Sequence, residues 1–462
     1  MTLTDQHWSP INTLAIKRIT SLDVSPDGRH LAFTVMQAVM TCEPSVFQSQ
    51  VYLADAEGSP PVPLTAGECS SFAPQWSPDG QCIAFISHKN IWLYSMVTGN
   101  VQQATDAATG VSSFKWSPDG SMIAFTAADD SESTGEKNGP RIVGQGLKKQ
   151  RLHLISLAEF AHGPASGRPL TGEELHVGSP EVPEAYNWSP DGKYIVFSHS
   201  PSPQPNDWPG TRLALLNLAD GSIQPLDGRD AVTWNAHFSP DGRQIAYKVY
   251  DTPAWEWASV VHVLSPEGGH PRPLAETHDR RPDLLGWSAD GQWLYYLETV
   301  GTHHCLGALP VDGSPPILLF EWQGCIENVR LNQTRSALGF TLQTPSQPPE
   351  AYLTRLDAFS PVQMSQVNTE FCQIPIGRTE VIRWRSMDGL EIEGLLTYPV
   401  DYAKGRRYPL LVSVHGGPAN AWLQSFIGLQ SFYGPIAAFS ARGYAILRCN
   451  VRGSTGRGRA FR

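Results

Sequence analysis

Residues Trp76 to Phe85 read Trp-Ser-Pro-Asp-Gly-Gln-Cys-Ile-Ala-Phe. Proline fixes φ at the second position of a turn, aspartate bonds its own backbone, and glycine accepts a positive φ. The aromatic before the turn and the apolar triplet after it then face inward from two antiparallel strands. Alone, such a stretch is only a β-turn, but here it recurs. Ser-Pro-Asp-Gly begins at Ser25, Ser77, Ser117, Ser189 and Ser239, and Ser-Ala-Asp-Gly at Ser288. Trp76, Trp116, Trp188 and Trp287 precede four of these turns, and Val24 and Phe238 the other two. Apolar triplets follow at Leu31, Ile83, Ile123, Ile195, Ile245 and Leu294, and a degenerate copy spans Leu331 to Phe340.

A second apolar stretch follows each hairpin, starting at Val51, Ile91, Leu152, Leu213, Val261, Leu306 and Ala351. Two hairpins per unit make a four-stranded blade, and seven units fit an all-β, seven-bladed β-propeller. The interval from Ser117 to Ser189 is stretched by Asp129 to Lys149, polar and glycine-rich, which reads as a long surface loop.

Composition narrows the function. The net charge of −10 argues against a general nucleic-acid or anionic-membrane surface. Seven scattered cysteines with no Cys-x-x-Cys pair read as reduced thiols of a cytoplasmic protein, not as a disulfide framework or zinc site. His303-His304 beside Cys305 lacks further ligands at metal spacing and reads as part of a turn or strand. The N-terminus shows no basic stretch followed by an apolar core, and no apolar run is long enough to cross a bilayer.

After a boundary at Phe371 to Glu380, carrying Pro375 and Gly377, the pattern changes. Strands starting at Val381 and Ile392 flank a Met387-Asp388-Gly389 turn. Tyr408 to Pro418 reads Tyr-Pro-Leu-Leu-Val-Ser-Val-His-Gly-Gly-Pro, the form of a strand buried on both faces and ended by a glycine pair. A helix is expected over Leu429 to Arg442, with Gly443 as its C′ residue, and another buried strand over Tyr444 to Asn450. Hairpin, strand, helix and strand form the N-terminal part of a doubly wound α/β-hydrolase sheet. Residues 1–20 thus read as an N-terminal segment, 21–370 as the propeller and 371–462 as a partial hydrolase domain.

A repeat propeller followed by His415-Gly416-Gly417-Pro418 and then by Asn450-Val451-Arg452-Gly453-Ser454-Thr455-Gly456 resembles the prolyl oligopeptidase family of serine peptidases, in its acylaminoacyl-peptidase and dipeptidyl-peptidase-like branch. The resemblance implies a propeller that filters short peptides by size over a hydrolase using Ser, Asp and His. It implies that Gly417 donates its backbone N–H to the oxyanion, with His415, Gly416 and Pro418 shaping that turn. Arg452, Gly453 and Ser454 would line the floor beneath. No cofactor or metal is implied. The partners would be short peptides, with no nucleic acid and no membrane, and a homo-oligomer is compatible with the reading.

No Gly-x-Ser-x-Gly pentapeptide, the nucleophile elbow of the fold, occurs in the 462 residues. The expectation is therefore a chain truncated before the catalytic serine, lacking all three triad residues and inactive as given. Tyr444 to Asn450 would then lie as an uncovered apolar edge. Six arginines from Arg442 to Arg462 would await acidic partners in the absent part. Two other readings stay open: a non-catalytic propeller that binds peptides or proteins, and an esterase-type hydrolase on the same fold. Glu173-Glu174 reads as a solvated pair rather than an anchor for a substrate amino group. Scissile-bond preference, exo- or endo-action and oligomeric state are not legible.

Overall fold

The computed structural model describes residues 7–40, 45–128, 147–160, 163–178, 185–250, 258–417, 419–429 and 434–462. Every repeated turn closes a hairpin. The glycines Gly28, Gly80, Gly120, Gly192, Gly242 and Gly291 have φ between 69° and 73°, the left-handed region the turn requires. Each turn aspartate accepts the amide two residues on, at 3.0–3.1 Å. The serine does equal work. Its hydroxyl donates to that aspartate at 2.5–2.7 Å and accepts the amide five residues on at 2.9–3.0 Å. In the degenerate copy, Asn332 takes the serine's place, its Oδ1 accepting the amides of Ser336 and Ala337.

Among the described residues, seven antiparallel sheets stand around these turns, each built from consecutive strands. The first comprises Arg18–Val24, His30–Val39, Val46–Asp55 and Val62–Pro63, in that order. The fourth carries a fifth strand, because His176–Val177 and Tyr186–Trp188 both pair with Tyr194–Ser200. Apolar clusters fill the spaces between successive sheets, such as Ala84, Ile86, Phe114 and Phe125 between the second and third. Leu22, Leu31 and Phe33 of the first sheet pack against Ala337, Ala351 and Leu353 of the seventh. The Asn328 side-chain amide also donates to Ile19 O across this seam, at 2.9 Å. The arrangement is of the propeller type.

The repeated tryptophan has a second role besides packing. The indole N–H groups of Trp116, Trp188 and Trp287 donate to the carbonyls of Gln75, Lys115 and His237, each just before the preceding sheet's aromatic. Each such bond ties one sheet to the one before it. At the first seam the Trp76 backbone N–H reaches Asp23 instead, and its indole nitrogen is buried with no hydrogen bond among the described residues.

The terminal module is a separate sheet of four strands: β1 (Thr379–Arg385), β2 (Glu391–Thr397), β3 (Leu410–Val414) and β4 (Ala445–Asn450). Their order is β1-β2-β4-β3, with β3 and β4 parallel. Two expectations are corrected by this order. β4 is not an edge but lies between β2 and β3. β3 is the edge, and it is not buried on both faces: Leu410, Val412 and Val414 are 53, 59 and 53% exposed, because among the described residues nothing covers that face. The helix is also shorter than expected, Ile436–Ala441. Gly434 at φ 112° and the ring of Pro435 precede it, and residues 430–433 lie outside the described residues. Its end matches the expectation. Gly443 has φ 86°, its N–H reaches Ser440 O, and the Tyr444 N–H reaches Phe439 O, the two bonds of a Schellman cap.

The N-terminal segment packs on this module. Trp8 lies 6.0 Å from the Phe371 ring and 5.7 Å from the Phe426 ring, in a cluster that includes Ile436 and Ile446. Most of the expected Asp129 to Lys149 loop, residues 129–146, lies outside the described residues. Among the described residues no helix is long and apolar enough to cross a membrane.

Candidate active site

β3 delivers its carboxyl end to a tight clasp. His415, immediately after the strand, is buried, and its Nε2 lies 2.8 Å from Ser454 Oγ in the loop that leaves β4. Ser454 is also fully buried and donates to Val451 O at 2.6 Å. A hydroxyl has one hydrogen, so its oxygen is left as acceptor and His415 Nε2–H is the donor. The clasp locks the ends of two parallel strands together. Two residues on, Gly417 has φ 148°, and a Cβ there would lie 3.0 Å from Asn420 Cβ and 3.2 Å from Ala419 N. Only glycine fits this turn without strain. The residue is exposed, and its N–H makes no hydrogen bond among the described residues.

The chain beyond Gly417 is held from both sides. Thr455 N–H donates to Asn420 O at 3.0 Å, and the Trp422 N–H donates to Asn450 Oδ1 at 2.7 Å. From the sixth and seventh sheets, Arg281 donates to Ala419 O at 2.6 Å, Thr302 O accepts the Gln424 N–H at 2.7 Å, and Gln343 Oε1 accepts the Phe426 N–H at 3.0 Å. Asn420, Leu423 and Thr455 close one end of a cavity of about 1190 Å³ that the inner strands of the sheets line. Its wall is charged. Burial raises the carboxyl pKa of Glu298 and of Glu327. Behind the wall, burial lowers the Lys248 ammonium to about 8, and that group sits 4.0 Å above the Trp234 ring.

Residues 25–135 match the family described as the dipeptidyl peptidase IV N-terminal region. A Bacillus subtilis protein described as the uncharacterized peptidase YuxL is 26% identical over 97% of this chain and 71% of its own length. Dipeptidyl-peptidase 5 of Trichophyton tonsurans is 25% identical over 70% of this chain. The solved structure of the Pyrococcus horikoshii acylaminoacyl peptidase superposes with a TM-score of 0.76 at 18% identity, over 98% of this chain and 68% of that one. The chain is similar to peptidases of the prolyl oligopeptidase family, in sequence to the first two and in fold to the third. The matched region spans only 44% of the length of the fungal relative.

The expected site residues divide. His415, Gly416, Gly417 and Ser454 come together at the ends of β3 and β4, while Pro418 lies outside the described residues. Gly453 continues the loop with φ 100°, its N–H on Phe461 O. Arg452 turns away, and its exposed guanidinium pairs with Asp388 on the β1–β2 turn. The Asp388 carboxyl falls to about 2, through the Ser386 hydroxyl first and the Leu390 amide and Arg452 after it. The expectation that the terminal arginines await absent partners is corrected for Arg452 and for two more: Arg457 pairs with Glu391 and Glu393, and Arg462 with Asp279. These acids sit on the first hairpin of the module and on the sixth sheet, too far along the chain for local reading. His303 and His304 lie on the strand His303–Pro310, with His304 Nδ1 against the Ile326 backbone. Glu173 is exposed near Arg151, and Lys149 binds the carbonyls of both Glu173 and Glu174. The six cysteines among the described residues are all free.

Three residues near the site carried no motif: Arg281, Glu298 and Arg448. Arg448 alternates with Ile446 and Asn450 on β4, and a charge amid apolar neighbours was its only visible signal. Its guanidinium is 1% exposed, lies 5.7 Å from the Trp422 ring, and is pulled down to about 10 by burial.

Proposed function

We propose that residues 21–370 form a seven-bladed propeller and residues 371–462 the first part of the α/β-hydrolase domain of a serine peptidase that cleaves short peptides, residues 1–20 being a segment that packs on the latter. The strand order β1-β2-β4-β3 and the parallel β3–β4 pair support the hydrolase reading. One observation carries it furthest: exposed Gly417, whose N–H makes no hydrogen bond among the described residues, follows the carboxyl end of a parallel strand, three residues before Asn420, which lines the cavity.

The chemistry assigned to that N–H is stabilisation of the negative oxygen that forms when a serine attacks a peptide carbonyl. Removal of one such donor costs about 2.7–4 kcal/mol of barrier. On this reading Gly417 is half of an oxyanion hole, and residues 1–462 by themselves cleave nothing, since no nucleophile elbow occurs among them. The propeller channel restricts access to extended peptides, as the size of the cavity and the ring of sheets around it favour. Free cysteines at Cys305, Cys325 and Cys449, all buried, support a reducing, cytoplasmic setting.

Peptide occupancy of the channel is testable on the chain itself by fluorescence anisotropy. A labelled short peptide should bind and be displaced by its unlabelled form, while an equally labelled folded protein should not bind. Absence of peptide binding, or equal binding of the folded protein, would overturn the size-filter reading.

A further inference from the structure

An amide stabilises an oxyanion only if it already points where the charge develops, and a turn at the end of an edge strand needs support to stay aimed. That support comes from one loop of the sixth sheet, Thr277 to Arg281, which runs into the inner strand Asp283–Trp287. The loop grips the terminal module at three points. His278 Nε2 lies 3.2 Å from Gly456 O. Asp279 accepts the Gly458 N–H at 2.8 Å and pairs with Arg462 at 2.6 Å, both side chains being 1% exposed. Arg281 donates from Nη1 to Ala419 O at 2.6 Å.

The third grip differs from the others in its target, which is the backbone two residues from Gly417. Between Asp279 and Arg281, Arg280 has φ 52°, a left-handed conformation that costs a non-glycine residue energy and is kept only where surroundings impose it. Glu298, on the neighbouring strand Trp293–Val300, imposes it. This buried carboxylate accepts the Thr277 hydroxyl at 2.6 Å and the Arg281 N–H at 2.9 Å. Just past that strand, the Gly301 N–H donates to Gly456 O at 2.8 Å. Glu298 therefore shapes the loop from inside the sheet, and Arg281 carries that shape across to the module.

We propose that Arg281 is a positioning residue for the oxyanion loop: by holding the Ala419 carbonyl it fixes the direction of the Gly417 N–H, with Glu298 holding Arg281. The role in catalysis rests on reading Gly417 as the oxyanion donor. The aim of the loop itself does not, and that separates the two when they are tested.

Hydrogen–deuterium exchange of the full chain reads the loop directly. Arg281→Ala should raise exchange in the peptide covering 415–424 by about tenfold, the size expected for loss of a charge-assisted hydrogen bond, and leave the second and third sheets unchanged. Arg281→Lys, which keeps a cationic donor, should restore most of the protection. Unchanged exchange in 415–424 on Arg281→Ala would overturn the proposal. A rise spread over all seven sheets, alike in both variants, would also overturn it, since Arg281 would then serve general stability. Exchange needs no turnover, so failure of the peptidase reading shows in peptide binding, and failure of the brace shows here.

Discussion

At Gly417 the backbone conformation and the space beside it make the same demand. With φ at 148° and neighbours 3.0 Å from any Cβ, Gly417→Ala must either strain the turn or push Asn420 aside. A cost of about 1–2 kcal/mol is expected, read as a lower urea midpoint at unchanged slope. Glu298 offers a pH test. Burial raises its carboxyl, with Asp279 adding to the rise, while the Thr277 hydroxyl and the Arg281 and Asp279 amides oppose it; Lys248 faces it across the wall. A carboxyl whose folded pKa is raised leaves the fold unpenalised below the ordinary glutamate range. It costs stability as pH rises through that range toward the folded value. Glu298→Gln keeps an oxygen for Thr277 and Arg281, so its urea midpoint should exceed the wild type's at pH 8, with the difference closing at pH 3.5. A constant difference at both pH values would mean that ionisation of Glu298 is not what the fold tolerates there.

At the scale of the element, the repeated turn is a small hydrogen-bond circuit rather than a backbone shape alone. Ser117→Ala removes both the donor to Asp119 and the acceptor of the Met122 amide, and about 1 kcal/mol of stability should go with them. The carboxyls of Asp119, Asp191, Asp241 and Asp290 are lowered, in each case by the serine hydroxyl before any other cause. A lowered folded pKa gives stability that is present above the ordinary aspartate range and lost as pH falls through the folded value. The Ser117→Ala deficit should therefore shrink in acid; a deficit that grows in acid would contradict the circuit. The edge strand β3 makes a different demand. Its outward Val412 is 59% exposed, so Val412→Lys should leave the unfolding free energy within about 1 kcal/mol of wild type and reduce self-association in light scattering. Strong destabilisation would mean that the face is covered in solution.

At the scale of the whole molecule, what could be read in advance was what is local. The turn, its glycine and the aromatic before it lie within a few residues, and their sixfold recurrence carried the propeller. His415, Gly417 and Ser454 were legible because each sits at a strand end. Sheet order was not legible, since no local pattern tells whether β3 or β4 lies inside, and the apolar content of Leu410–Val414 suits either place. The indole bonds between sheets and the partners of Arg457 and Arg462 were hidden for the same reason, each reaching across a long sequence separation. Arg281 and Glu298 belong to no motif at all. Their importance appears only where the sixth sheet meets the loop after Gly417.

The central claim is that Gly417 presents one half of an oxyanion hole whose nucleophile does not lie among residues 1–462. Treating the folded 462-residue chain with a fluorophosphonate probe and reading its intact mass tests this most directly. The account predicts the unmodified mass. A stoichiometric adduct on any serine of the chain would contradict it.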